Sequence, residues 1–275
     1  MSVKRLMSLA VIVLSTVAGA ETYTWTGAQN GFWTNAANWT VGGEVATKCP
    51  GVCSNEIFAA DGSTNVGWTT QVALADLAEF TTVADGAQKT LDLSGLYCIS
   101  SIVFRAGCPV YTLGTADDGS QIIALESFGT SAADTGRFEI EANASVPTLI
   151  AGFSIGMTYK PLRRHNDIAY IAIYNNSAQT LKFNKFGYSQ NPDLKGQGFA
   201  HCHVEFYGSG PLEFGGAMEG IRQYSSLYQC AELYFHQSGK VTFSAPLFGR
   251  GVDWEANKQD DASHHGLLYF YVYSN

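Results

Sequence analysis

Positive charge is scarce in this sequence. Across 275 residues, 16 Lys and Arg stand against 24 Asp and Glu. A chain this acidic lacks the basic stripes that neutralise phosphates, so nucleic acid is not an expected partner. Charged residues of both signs make up only 15%, which leaves little material for the polar faces of amphipathic helices. After residue 20 no apolar run reaches the roughly 20 residues that a membrane-spanning helix needs. No catalytic motif stands out and no ligand set has a convincing metal spacing, so the sequence implies no cofactor and leans away from an enzyme.

The first twenty residues address the compartment. Lys4 and Arg5 form a basic start, Leu6 to Val17 an uncharged apolar run, and Ala18, Gly19 and Ala20 the small residues of a cleavage site. That order is the pattern of a secretory signal peptide over 1–20. Cleavage removes two cations and no acid, moving the formal charge from −8 to −10. The mature chain is expected to be secreted or held at the cell surface, in a Gram-negative type of envelope and with no membrane span. Export puts Cys49, Cys53, Cys98, Cys108, Cys202 and Cys230 where disulfides can form.

What the chain does have is material for β structure. It carries 29 Gly and 13% aromatics, and strands favour aromatic residues while glycine serves the turns between them. Residues 21–70 read as a Trp-rich cap of strands and turns. Trp25, Trp33 and Trp39 fall within fifteen residues, separated by Gly and Asn, a spacing that suits a mini-core better than a helix. Together with Trp68 they could instead stack on sugar rings. Cys49-Pro50-Gly51-Val52-Cys53 then reads as a turn that a local disulfide could close.

From residue 71 to 275 short apolar runs alternate with Gly, Asn, Asp and Ser turns. Strands are expected at Thr90–Leu93, Ser101–Phe104, Val110–Leu113, Gln121–Leu125, Arg137–Ile140 and Pro147–Ile150. Leu74, Leu77 and Phe80 allow a short helical turn over 71–80. Three later segments align, each a strand, a small-residue turn and a second strand of apolar-x-Phe form. Their anchors are Leu181, Leu212 and Val241, with steps of 31 and 29 residues, and a fainter copy ends at Leu149. Repetition at this period signals stacked coils. Alternation puts Ile171/Ile173, Val204/Phe206 and Leu233/Phe235 on one face, with Leu181/Phe183, Leu212/Phe214 and Val241/Phe243 matching on the second strand. The fold class is all-β, a right-handed parallel β-helix-like solenoid behind the Trp-rich cap, with a β-sandwich as the alternative. Gly266 to Asn275 reads as the first strand of a further coil, so the chain is expected to be truncated there.

The run Tyr23, Trp25, Gly27, Trp33, Asn35, Asn38 and Trp39 resembles the start of bacterial proteins carrying autotransporter-associated β-strand repeats. Asp76 to Phe80 resembles their Asp-x-Ala-x-Phe, and Ile102–Phe104 and Tyr111–Gly114 resemble the next two strands. Gly208–Gly216 and Ser238–Ser244 resemble the Gly-x-Gly-x-Leu-x-Leu-x-Gly core of the repeat. The resemblance implies a secreted or surface structural passenger, such as an adhesin, with polysaccharide or cell-surface glycans as candidate partners.

Candidate sites are weak. His201 and His203, with Cys230 or His236 from the next repeat, could surround a metal. Cys202 and Cys230 occupy nearly equivalent positions and could pair, although a one-residue offset reverses their facing unless a bulge intervenes. Cys98 and Cys108 could close a loop around Gly107. The alternative function is a carbohydrate-active β-helix enzyme, a polysaccharide lyase or glycosidase, or a sugar-binding module. Carboxylates for such chemistry are Asp117, Asp118, Asp167, Asp253, Glu255, Asp260 and Asp261, with Arg163, Arg164 and His165 as cations. None aligns from repeat to repeat into a catalytic row.

Overall fold

The structure is a computed structural model and describes residues 21–53, 76–117, 120–125, 135–155, 168–187, 201–216, 218–219, 230–244 and 267–273. The signal peptide expected over 1–20 lies outside them. Apart from one 3-10 turn at Ala36–Asn38, every regular element described is a β-strand, so the chain is all-β as its composition implied.

The largest sheet has ten strands. In order they are Leu267–Val272, Cys230–Phe235, His201–Tyr207, Ile168–Asn175, Gly136–Ile140, Ser101–Phe104, Leu77–Phe80, Thr22–Trp25, Trp39–Val41 and Glu44–Val45. From Thr22–Trp25 to Leu267–Val272 every neighbouring pair is parallel; only the last two pairings, toward Glu44–Val45, are antiparallel. From Leu77–Phe80 onward each parallel neighbour is also the next strand of this sheet along the sequence. A second parallel sheet holds Ile122–Leu125, Gly152–Ile155, Phe186–Gly187 and Met218–Glu219. Two three-stranded parallel sheets hold Thr90–Leu91, Thr112–Leu113 and Thr148–Leu149, and Leu181–Phe183, Leu212–Phe214 and Val241–Phe243.

Registers follow the sequence repeat residue for residue. Ile171, Val204 and Leu233 are ladder partners in succession, as are Ile173, Phe206 and Phe235. Leu181, Leu212 and Val241 pair likewise, with Phe183, Phe214 and Phe243 beside them. Parallel pairing in register sets like rings on like. Phe206 and Phe235 stack with centroids 4.6 Å apart, and Phe214 and Phe243 at 5.0 Å. Phe206, Phe214 and Phe186 come from three different sheets and meet edge to face or tilted at 5.0–5.9 Å. The core therefore lies where those sheets face one another, and each fully buried Phe contributes roughly 1.5–3 kcal/mol through lost apolar exposure.

The helical turn allowed over 71–80 does not form where it can be seen. Leu77–Phe80 is a strand with Ala78 and Phe80 buried on alternate positions. Its neighbours Thr22–Trp25 and Ser101–Phe104 offer ladders on both sides, which outweigh a short three-residue spacing. At the Trp-rich start, Trp25, Trp33, Trp39 and Phe80 form one buried cluster. Asn38 is buried within the turn; its side-chain oxygen accepts from the amides of Gln29 and Asn30, and its amide donates to the Phe32 carbonyl.

Turns between stacked strands are fixed by Asn175. Its side-chain amide donates to the carbonyls of Gln179 and Pro211 at 3.0 and 2.8 Å, and its oxygen accepts from the Ser177 amide. Gly210 passes so close that a Cβ there would collide with the Ser177 carbonyl and the Asn175 side chain. Glycine at that step is a packing requirement.

Candidate functional site

If alternate residues of the long sheet point into the core, the others must face outward. On Ile168–Asn175, His201–Tyr207 and Cys230–Phe235 the outward set includes Tyr170, Tyr174, His203, Glu205, Tyr207, Glu232 and Tyr234. The straight parallel register lines these into two ring stacks. Tyr174, Tyr207, His236 and Tyr273 follow one another at 5.0, 4.9 and 4.4 Å, with interplanar angles of 12–15°. His203, Tyr234 and Tyr271 form the second at 4.2 and 4.4 Å, and Tyr170 leans on His203.

Carboxylates are threaded between the rings. The Tyr207 hydroxyl donates to Glu205, and the Tyr234 hydroxyl to Glu232 at 2.8 Å. His203 Nε2 lies 2.8 Å from Glu205, and its Nδ1 lies 3.6 Å from Glu232. Burial works against ionisation of Glu205, but hydrogen bonds from Tyr207 and His203 with the charges of His203 and His236 outweigh it and hold the carboxyl below its ordinary range. Burial, then the bond to Glu205, pushes the Tyr207 phenol up; the bond to Glu232, then burial, does the same for Tyr234. Both phenols are thus protonated donors at neutral pH. Further along the face Arg137 pairs with Glu139 and lies over the Tyr174 ring at 5.2 Å, and Arg105 bridges Glu79 and Glu141.

Stacked rings cover each other's faces and turn their edges and hydroxyls to solvent. The result is a half-exposed strip of hydroxyl, imidazole and carboxylate groups, suited to hydrogen-bonding a polar, hydroxyl-rich partner. Sequence reading missed this strip. Its signal was present, since Tyr174, Tyr207 and His236 recur with the same repeat, but the residue type changes from step to step.

Of the residues singled out from sequence, His203 and His236 lie in this strip. Trp25, Trp33 and Trp39 are buried and donate their indole N–H groups to the carbonyls of Gln88, Pro50 and Trp33. Their faces are covered by one another and Phe80, which leaves none for a sugar; Trp68 lies outside the described residues. Cys49 and Cys53 are joined by a disulfide. Cys98 and Cys108 are both buried but are not bonded to each other. Cys98 sits in a ladder opposite Val52, whereas Cys108 ends a turn with its amide on the Arg105 carbonyl. Cys202 is the ladder partner of Ala231 and Cys230 that of Leu267, with no bulge, so the one-residue offset between Cys202 and Cys230 persists.

His203 and His236 belong to different stacks, since His236 lies on Tyr207, four residues along the strand from His203. Among the described residues no cluster of three His, Cys, Asp or Glu side chains could hold a metal ion. Asp117 is an exposed partner of Lys185 at 2.8 Å. Asp118, Asp167, Asp253, Glu255, Asp260, Asp261, Arg163, Arg164 and His165 lie outside the described residues. Among those described, no helix is long and apolar enough to cross a membrane.

The chain matches no family model, no curated protein and no solved structure.

Proposed function

We propose that this is an exported, non-enzymatic parallel β-helix of the autotransporter-repeat type, right-handed and acting as a surface passenger that binds glycans through its outer strip. The observation that carries the reading is the unbroken parallel register. Strands one repeat apart pair in three separate sheets, and residues from those sheets share one core. A solenoid of stacked coils produces that arrangement as a matter of course. Such a fold offers a long regular face, and here the face carries Tyr, His and Glu edges rather than isolated surface charges. The disulfide between Cys49 and Cys53 fits an oxidising compartment.

The test is glycan-array binding by the mature protein and by a Tyr207→Ala, Tyr234→Ala, His236→Ala triple variant. Binding that falls at least about tenfold, or about 1.4 kcal/mol, in a variant with unchanged far-ultraviolet dichroism supports the reading. No binding by the parent protein overturns it. A second reading, an enzyme acting on polysaccharide, draws on His203 set between Glu205 and Glu232. Release of reducing or unsaturated sugar ends by the parent, lost in Glu205→Gln, would place it ahead.

A further inference from the structure

One carboxylate in the described chain is fully buried, and it lies beside the first described residue. Asp76 has no exposed surface, in a fold whose other acids mostly reach solvent. Its Oδ1 accepts from the backbone nitrogen of Glu21 at 3.3 Å. Its Oδ2 accepts from Lys48 Nζ at 3.3 Å and from the Gly51 amide at 3.2 Å. Lys48 is one-third exposed and also lies 5.7 Å from the centroid of the Tyr23 ring. The Glu21 carboxylate accepts from the Tyr23 hydroxyl at 2.7 Å. Among the described residues the carboxylate therefore has a cation at one oxygen and the Glu21 nitrogen at the other.

Glu21 is also the residue that follows Ala18, Gly19 and Ala20. Peptidase cleavage after Ala20 hydrolyses the Ala20–Glu21 amide; water supplies the hydroxyl to Ala20 and a proton to the nitrogen, which takes up a second proton at neutral pH. We infer that Asp76 is the docking site for the mature N-terminus, the α-ammonium of Glu21 forming a salt bridge with Oδ1 once the leader is removed. The inference rests on the reading of 1–20 as a cleaved signal peptide.

Geometry supports it at each point. The nitrogen is already within reach, held by the ladder in which Thr22 pairs with Leu77 and the Leu77 amide donates to the Glu21 carbonyl at 2.9 Å. Glu21 is exposed, so the remaining ammonium protons can reach water. Burial raises the Asp76 carboxyl to about 6 despite Lys48 and the two amides, so the site favours a second cation. Processing thus completes an ion pair that closes the start of the sheet against the Cys49–Cys53 loop, which Gly51 ties to the same carboxylate.

The experiment uses the exported full chain. N-terminal sequencing of the secreted product is expected to begin at Glu21; any other start removes the processing reading on which the inference depends. On the Glu21 product, acetylation of the α-amine at pH 7 is followed by mass spectrometry. It is compared with Asp76→Asn and with a chain carrying one extra Gly before Glu21, which leaves Asp76 in place. A buried carboxylate partner that raises the amine by one pKa unit slows its labelling about tenfold. Slower labelling of the parent than of both variants supports docking. Equal labelling of the parent and the Gly-extended chain, with Glu21 confirmed as the start, overturns it even if Asp76→Asn fails to fold.

Discussion

Trp39 donates its indole N–H to the Trp33 carbonyl at 2.8 Å while the two rings meet edge to face with centroids 4.8 Å apart. The pair is buried, so ring contact and hydrogen bond are separable contributions. Trp39→Ala should cost about 3–5 kcal/mol through the cavity and lost contacts. Trp39→Phe keeps an aromatic ring but strands the Trp33 carbonyl, and should cost about 1–3 kcal/mol. Urea denaturation of the mature protein measures both. Equal losses would mean that the ring contact adds nothing beyond the hydrogen bond, and no loss in Trp39→Phe would mean that the hydrogen bond adds nothing.

Asn175 is the second test of buried polar satisfaction. Replacing it with Ala leaves the Pro211 and Gln179 carbonyls and the Ser177 amide without their side-chain partner. The Pro211 carbonyl keeps the Leu181 amide and Gln179 is exposed, so the buried Ser177 amide bears most of the loss, about 1–3 kcal/mol, more than an ordinary surface Asn→Ala change costs. Gly210→Ala should destabilise by collision at the same turn. Combining the two should cost less than the sum of the single changes, because Asn175→Ala removes two of the three atoms that the new Cβ meets. Strict additivity would separate the two contacts.

How far the sequence foretold these features depends on what each feature asks of side-chain identity. Leu181, Leu212 and Val241 were legible because a packed interior demands the same kind of residue at each step, and the ladder pairs them as the spacing implied. The outer stacks ask only for a flat ring, so Tyr207 can sit between Tyr174 and His236 and no repeat of one residue type shows. Phe80 was misjudged because Leu74, Leu77 and Phe80 have helical spacing, while the strands on either side of it are distant in sequence. Cys98 and Cys108 are near in sequence, yet the strand Ser101–Phe104 carries the chain away between them. The Asp76 site could not be seen in the sequence, since its partners lie 25 and more residues away.

The Cys49–Cys53 disulfide closes a very short loop. Chain-entropy arguments give such a loop about 2 kcal/mol. The loop is also tied down by Trp33, whose indole donates to the Pro50 carbonyl at 3.0 Å, and by Asp76 through Gly51. A Cys49→Ser, Cys53→Ser variant should therefore lower the free energy of unfolding by about 2 kcal/mol while the Trp fluorescence of the folded protein stays put. A red-shifted spectrum under native conditions would show that the bridge itself holds the indoles in place.

Asp76 and Glu141 act on stability in opposite directions with pH. Arg105 and the Ala106 amide hold the Glu141 carboxyl below the usual 4.5. Its contribution is present above that value and is lost as pH falls toward and through the depressed one. With the Glu21 nitrogen locked in a peptide bond, burial raises Asp76 from 3.8 to about 6. Across that window the folded chain keeps a proton that the unfolded chain has released, so the Asp76 contribution declines as pH rises and then levels off. An α-ammonium at Oδ1 pulls the carboxyl back down and removes the decline. The groups facing Asp76, namely Lys48, Glu21 and Tyr23, are common to both chains, as is Glu141, so the comparison isolates the new terminus. The melting temperature of the processed chain should pull ahead of the Gly-extended chain between about pH 4 and 6, hold its lead at neutral pH, and lose it once the amine deprotonates above about pH 8. Parallel curves from pH 4 to 9 would mean that the mature N-terminus leaves Asp76 untouched.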